Sequence, residues 1–198
     1  MSEARPTTDP PVVIVDYRPS WRDDFARIAT ALRRALGPLA LRIDHIGSTS
    51  VPGLCAKDVI DVQVSVAALD ATVIEAFTRA GYALAHSISR DHRPPDGDGP
   101  DSDWEKLYFR APAGLRRTHT HVRVFGRPNQ RYALLFRDYL VAHPQTAAAY
   151  GELKRRLARS LANPEDYPDV KDPAIDLIYL PARRWAAETH WEPPPSDA

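Results

Sequence analysis

Residues 45–66 read HIGSTSVPGLCAKDVIDVQVSV, and the fold turns on how the two halves of this stretch relate. In the second half Val62, Val64 and Val66 alternate with Asp61, Gln63 and Ser65. A period of two marks a β-strand with one face in the core, and a strand is predicted over 58–66. Its other face carries a carboxylate, an amide and a hydroxyl. The first half, GSTSVPG, reads as a turn-rich loop after a strand over 40–46. A Gly-Ser pair leaving a strand, Gly47-Ser48, lets backbone N–H groups and a hydroxyl come close to a phosphate. A carboxylate on the next strand, Asp61, suits a Mg2+ ion that bridges phosphate oxygens, and Lys57 adds positive charge beside the same anion. The run from His45 through Gly47, Ser48, Thr49 and Ser50 to Lys57 and Asp61 thus describes a nucleoside triphosphate site. It equally describes a tight Ser/Thr-rich turn in which Asp61 bonds a neighbouring backbone group.

Outward from this stretch, residues 12–17 read as a short strand or extended lead-in. Ser20 is the predicted N-cap of a helix whose face carries Phe25, Ile28, Ala29, Leu32, Ala35 and Leu36, stopped by Gly37-Pro38. Asp70 caps a predicted helix over 71–80, Gly81 follows it, and 82–88 suggests a strand. Strands over 104–110 and 118–125 form a predicted hairpin around residues 112–114. Asn129 is the predicted cap of a helix over 130–142, and His143-Pro144 ends it. A further helix follows over 145–162, with Ala149, Tyr150, Leu153, Leu157 and Leu161 on one stripe. Asp172-Pro173 is read as the N-cap and first residue of a last helix over 173–180. The fold class is α+β: a mixed sheet of about five strands packed by helices, with a C-terminal helical extension. Residues 12–186 form one domain, and the polar, Pro-rich 1–11 and 187–198 are flexible tails. The stretch 90–103, RDHRPPDGDGPDSD, is an acidic loop insertion. It is a solvated excursion, or a cation site around Asp96, Asp98 and Gly99, although the spacing and terminal Glu of a calcium loop are missing.

The chain has 198 residues, with Lys+Arg 26 and Asp+Glu 26, so the formal net charge is zero. That balance gives no strong nucleic-acid signal. The single cysteine, Cys55, excludes an internal disulfide framework and a multi-Cys zinc site, and leaves a free reactive thiol open. No apolar run reaches the ~18 residues that span a bilayer, and the N-terminus lacks a signal-peptide apolar region. The expectation is a cytoplasmic protein with no membrane partner. The P-loop, G-x-G-x-x-G, G-x-S-x-G and H-E-x-x-H signatures are absent.

The run HIGSTSVPGLCAKDVIDVQV resembles the GrpB family, within the DNA-polymerase-β-like nucleotidyltransferase superfamily. Further blocks that resemble GrpB follow in order: EKLYFR from Glu105, THTHV from Thr118, LFRDYL from Leu135, YGELKRRLA from Tyr150, then Tyr167 and Lys171. The resemblance spans about residues 12–186. It implies a nucleotidyltransferase-like core, in which Gly47 and Ser48 match the Gly-Ser element and Asp61 the first of two strand carboxylates. The second carboxylate falls on Gln63, which makes a weaker Mg2+ cage and puts two-metal transfer in doubt. The strand expected to supply a third acid, 118–125, offers His119, His121 and Arg123 on one face instead. The two histidines are metal ligands beside Asp61, phosphate-binding or acid–base groups, or surface residues; Glu105 is a substitute acid. Arg137 either reaches a phosphate or pairs with an acid. Lys154 and Lys171 either wall a nucleotide pocket or are solvated. Trp21, Trp104, Trp185 and Trp191 are packing residues.

The expected function is a Mg2+-dependent nucleotide-binding protein that transfers a nucleotidyl group from a nucleoside triphosphate to a small-molecule acceptor. Asp61, His119 and His121 are the expected catalytic residues, and Asp61 and His121 the metal ligands. His45, Gly47, Ser48, Thr49, Ser50, Lys57, Gln63, Arg110, Arg137, Lys154 and Lys171 are the expected substrate contacts. Two alternatives stand beside it. One is a non-catalytic binding or regulatory module, since GrpB-like domains resemble segments fused to dephospho-coenzyme A kinases. The other is a tailoring or ligase-type enzyme reusing the pocket. The nucleotide, the acceptor and a homo-oligomeric state are left open.

Overall fold

A computed structural model describes residues 12–95, 97–161, 163 and 166–198, apart from the side chains of 168 and 169. The first helix, α1 (Ser20–Leu36), buries Trp21, Phe25, Ala29, Leu32 and Leu36, a stripe at helical spacing. Each large side chain so buried contributes about 1.5–3 kcal/mol. Ser20 is the first helical residue rather than the cap: the N-cap is Pro19, with no side-chain hydrogen bond. The helix ends at Gly37, where φ is +52°.

The strands are β1 (Arg42–Ile46), β2 (Ile60–Val66), β3 (Ala83–Leu84), β4 (Leu107–Arg110) and β5 (Thr118–Val124), with α2 (Ala71–Arg79) after β2. Asp70 caps α2, its carboxylate accepting from the Val73 N–H at 3.0 Å. The sheet order is β1-β2-β5-β4-β3, with β2 and β5 parallel and every other pair antiparallel. The expected strand over 82–88 keeps two paired residues, and residues 12–17 contribute a single bridge, Val15 to Ala56.

One sheet face carries Ile43, Val62, Val64 and Val122 and packs with α1 and α2 in the main core. Phe77 of α2 stacks on Phe109 of β4, ring centroids 4.2 Å apart. The other face is polar yet covered by α3 (Pro128–Ala142): Gln63, Ser65, Asn129 and Gln130 are all buried. Asn129 is not the cap of α3, because Arg127 holds that position; its amide donates to the Asp91 carboxylate at 3.1 Å and the Glu105 carbonyl at 2.9 Å. With α4 (Pro144–Ser160) and α5 (Tyr167–Thr189), α3 builds a second core around Leu135, Tyr139, Leu140, Ala147, Tyr150, Ile178 and Ala182. The helix α5 starts before the expected Asp172-Pro173 cap and carries Pro173 and Pro181 inside it.

Two loop expectations meet the structure differently. The 90–103 segment is exposed over most of its length, as expected, but it is not loose: the Asp91 carboxylate takes hydrogen bonds from Arg123 and Lys106, Arg93 bonds the Gly97 and Gly99 carbonyls, and Trp104 donates to the Asp98 carbonyl. Asp96, in the alternative cation reading, lies outside the described residues. The C-terminal stretch is no loose tail either. Residues 187–189 complete α5, and the last residues run along the edge of β1. There Asp197 accepts from the His45 N–H at 2.8 Å, Ser196 bonds Ile43, and the Ala198 N–H donates to the Ile43 carbonyl. An exposed sheet edge has unpaired backbone groups, and this segment satisfies them.

Candidate functional site

The turn after β1 is fixed by one backbone requirement. Gly47 sits at φ +69°, ψ −171°, a region open essentially to glycine. A side-chain carbon built there would come within 2.8 Å of the Asp61 carboxyl carbon. The turn therefore lies directly over Asp61, and Ser48 emerges beside it. Together Ser48, Lys57 from the following loop, Asp61 of β2, His119 of β5, Tyr150 and Lys154 of α4, and Tyr167 and Lys171 of α5 line a cleft of about 190 Å3. The cleft thus spans the seam between sheet and helical half.

Its charge is lopsided. The carboxylate of Asp61 is paired with His119, Nδ1 to Oδ1 at 3.0 Å. Against it stand three lysines. Lys57 lies over the Tyr167 ring at 4.3 Å, and burial, then Lys171 and Arg117, lower its pKa. Lys171 faces the same ring from 6.0 Å. Lys154, 3% exposed, donates to the Ser48 hydroxyl at 2.8 Å and the Cys55 carbonyl at 2.6 Å. Burial lowers Lys154 to about 7. Tyr150 and Tyr167 are both raised by burial, Tyr167 to about 12, so both stay protonated as donors.

Six of the expected residues, Ser48, Lys57, Asp61, His119, Lys154 and Lys171, meet in this cleft, and Gly47 lies against Asp61 in the adjoining turn. Others go elsewhere. The register pairs His45 with Val62, so His45 faces the core side and stacks on Phe25, centroids 4.7 Å apart. Its Nε2 meets the Thr49 hydroxyl at 3.0 Å, and burial lowers its pKa to about 4. With Thr49, Ser50 and Arg137 it lines a separate cleft. Arg137 binds Asp138, Asp197 and the His45 carbonyl, the ion-pair reading rather than the phosphate one. Arg110 lines a neighbouring groove of about 500 Å3 that shares His119 with the cleft. Glu105 pairs with Arg90 at 3.4 Å.

Two corrections bear on the expected metal. Gln63 is sealed: its carbonyl oxygen accepts from Arg123 at 2.7 Å and its amide donates to the Gln130 carbonyl at 3.2 Å. His121 lies beside Gln63 in register rather than beside Asp61, edge-on to Tyr108, and burial with Arg123 and Lys106 holds its pKa well below the usual histidine value. Among the described residues, no group of three or more His, Cys, Asp or Glu is placed to hold a metal ion. Asp61, already paired with His119, is the one carboxylate lining the cleft, so the residues present offer a resident Mg2+ a single protein carboxylate and fit it poorly. Cys55 is buried, its thiol against the Gly151 carbonyl at 3.3 Å, so no exposed reactive thiol is present there. Among the described residues no helix is long and apolar enough to cross a membrane.

Tyr150 falls on the predicted apolar stripe of the 145–162 helix, and nothing in that pattern points to its place in the cleft lining. Comparison with known proteins places this arrangement in a family. A dephospho-CoA kinase of Mycolicibacterium paratuberculosis is 37% identical over 198 residues, covering 92% of this chain and 49% of that protein. The chain spans about half the length of the curated kinases it matches. A UPF0157 protein of Halalkalibacterium halodurans is 32% identical over 173 residues, 84% of this chain and 80% of that protein. The crystal structure of conserved protein GrpB from Enterococcus faecalis superposes with a TM-score of 0.71 at 30% identity, over 91% of this chain and all of that one. The family model described as GrpB protein matches residues 11–180; with the strand–turn–strand of residues 42–66 and most of the helical half inside that match, the chain belongs to the GrpB family.

Proposed function

We propose that the cleft binds the phosphates of a nucleoside triphosphate and that the protein transfers a nucleotidyl group from it to a small-molecule acceptor. The observation that carries this reading is the convergence of Lys57 and Lys171 with the Ser48 hydroxyl around a phosphate-sized space. Fixed cations in a low-dielectric cleft attract a polyanion and offset charge that develops on transfer. The cleft holds phosphates alone; the groove sharing His119, with Arg110, Arg117 and Tyr108, extends it for the rest of the nucleotide or the acceptor. Mg2+ belongs to this reading as part of the substrate, carried in on the phosphates, with Asp61 as its one protein carboxylate. The names of the kinase relatives point to the same ligand chemistry. Gln63 favours a second reading, a module that binds a phosphate-bearing ligand without transferring anything, because the amide that stands in for an acid is locked under α3.

The test is thermal unfolding with ATP, CTP, GTP or UTP, each with and without Mg2+. Saturation at 100 times Kd stabilises by about 2.7 kcal/mol, a shift of about 5–11 °C for a chain of this length. The expected result is a shift with one nucleotide that shrinks in Lys57→Ala and Lys171→Ala. No shift with any nucleotide at millimolar concentration refutes the donor site. A shift without turnover of the bound nucleotide supports the binding module.

A further inference from the structure

Ser48 and Lys154 form a contact that phosphate binding alone does not require. The Ser48 hydroxyl oxygen lies 2.8 Å from Lys154 Nζ. Among the described residues, that nitrogen's other hydrogen bond goes to a neutral carbonyl, that of Cys55, and the Tyr150 ring lies under it at 4.7 Å. A lysine that is 3% exposed and bonded to two neutral oxygens is poorly placed to keep its proton. The serine is held from the other side as well. Gly47 fixes the turn backbone against Asp61, and Tyr150 lines the cleft beside Ser48. A nucleophile within hydrogen-bond reach of a base that is itself oriented is the geometry of an activated side chain.

We propose that Ser48 is a nucleophile and Lys154 its general base, acting on a phosphoanhydride held by Lys57 and Lys171. The inference rests on the nucleotide reading above for its donor. The Ser48 oxygen attacks phosphorus and forms a serine phosphoester. The bridging P–O bond breaks, and pyrophosphate leaves with the electron pair when the α phosphorus is attacked, or the nucleoside diphosphate when the γ phosphorus is. The hydroxyl proton passes to Lys154 Nζ; the acceptor, losing its own proton to solvent, then attacks phosphorus, the Ser48 O–P bond breaks with its electron pair on the serine oxygen, and Lys154 returns the proton to that oxygen. Lys171 of α5 and Arg155 of α4 push Lys154 toward its neutral form along with burial, while Asp61 of β2 and the Cys55 thiol oppose them. The neutral form is therefore well populated near pH 7, where a base is needed.

A fluorophosphonate probe tests the pair without any nucleotide. Intact mass and peptide mapping are expected to show one adduct, on Ser48, formed at a rate that rises with pH through a midpoint near 7. Ser48→Ala abolishes it. Lys154→Arg, which keeps a long polar side chain but stays protonated and cannot act as base, slows it by about 10²-fold or more. An adduct spread over several serines, a flat pH profile in the unmodified protein, or a Lys154→Arg rate equal to that of the parent overturns the proposal, and the pH profile decides even if neither variant folds. Incubation with ATP labelled at the α or the γ phosphorus then identifies the group transferred. Probe labelling without a nucleotide-induced thermal shift keeps the pair and removes the nucleotide donor. A shift without labelling keeps the donor site and removes the pair.

Discussion

Asp91→Ala is expected to be among the most damaging single changes outside the apolar cores. Its carboxylate accepts two bonds from Arg123, each 2.7 Å, one from Lys106 at 2.7 Å and one from the Asn129 amide at 3.1 Å. The side chains of Asp91, Arg123 and Lys106 are 10%, 5% and 7% exposed. Removing the acid leaves two buried cations facing each other, and breaking a buried pair in this way costs about 3–5 kcal/mol. At about 2–4 °C per kcal/mol for this length, the melting temperature falls by about 6–20 °C. Urea unfolding followed by tryptophan fluorescence measures the loss directly, with the slope m unchanged if the native state keeps its compactness. Asp101→Ala is the control: that carboxylate lies in the same segment, pairs with Arg93, and is 73% exposed, so it costs under about 1 kcal/mol. Burial by itself would raise the Asp91 carboxyl, but Arg123 and Lys106 outweigh it and hold the group well below the ordinary carboxylate range. A depressed folded pKa means that the stabilisation is fully present above the unfolded value of about 4 and is lost as pH falls below it. The variant should therefore lose part of the acid-side slope as well. A loss under about 1 kcal/mol at pH 7 with the parental m would refute the reasoning, because it would mean that Arg123 and Lys106 are as well solvated without their carboxylate as with it.

Two further substitutions follow from the turn and the chain end. Gly47→Ala should cost more than Gly53→Ala in thermal unfolding: both have positive φ, but a side-chain carbon at Gly53 meets nothing within 4 Å while one at Gly47 strikes Asp61. The backbone penalty is about 1–3 kcal/mol in each, and the excess at Gly47 should come with loss of the His119–Asp61 pair, seen as a changed His119 imidazole signal by NMR. Equal costs and an unchanged His119 would place the turn away from Asp61. Replacing Ser196 and Asp197 together by Ala removes partners of Ile43, His45 and Arg137 and should cost about 1–3 kcal/mol, with faster hydrogen exchange at the amides of residues 43 and 45; unchanged exchange would show that the segment does not cover the β1 edge.

The elements legible in the sequence are those whose signal is local. Strand β2 follows from strict alternation over 61–66, helix α1 from an apolar stripe bounded by Gly37-Pro38, and the α2 cap from an Asp three residues before the N–H it accepts. The misplaced boundaries are those where packing outweighs a local rule. Pro173 and Pro181 would each end an isolated helix, since each removes an N–H and crowds the preceding turn. In α5 the burial of Ile178 and Ala182 against α3 and α4 carries the helix through both. The acidic 90–103 segment reads as solvated because its composition is polar, yet one of its carboxylates answers a buried arginine thirty-two residues away.

The candidate site divides the same way. Sequence alone determined that a Gly-Ser turn would leave one strand and that a carboxylate would stand on the next, because the residue types and a period of two are written in twenty consecutive positions. It could not determine on which side of the sheet each neighbour would lie. That follows from register: pairing Ile46 with Asp61 and His45 with Val62 turns His45 into the core and leaves Asp61 facing His119, and a slip of one residue would exchange them. Nor could it place Tyr150, Lys154, Tyr167 and Lys171 over Ser48. These come from helices some hundred residues downstream, and only the packing of α4 and α5 against the turn brings their cations and hydroxyls to one cleft. Local patterns fix local geometry, whereas the chemistry of this site resides in contacts across long sequence separation, which the tertiary structure alone decides.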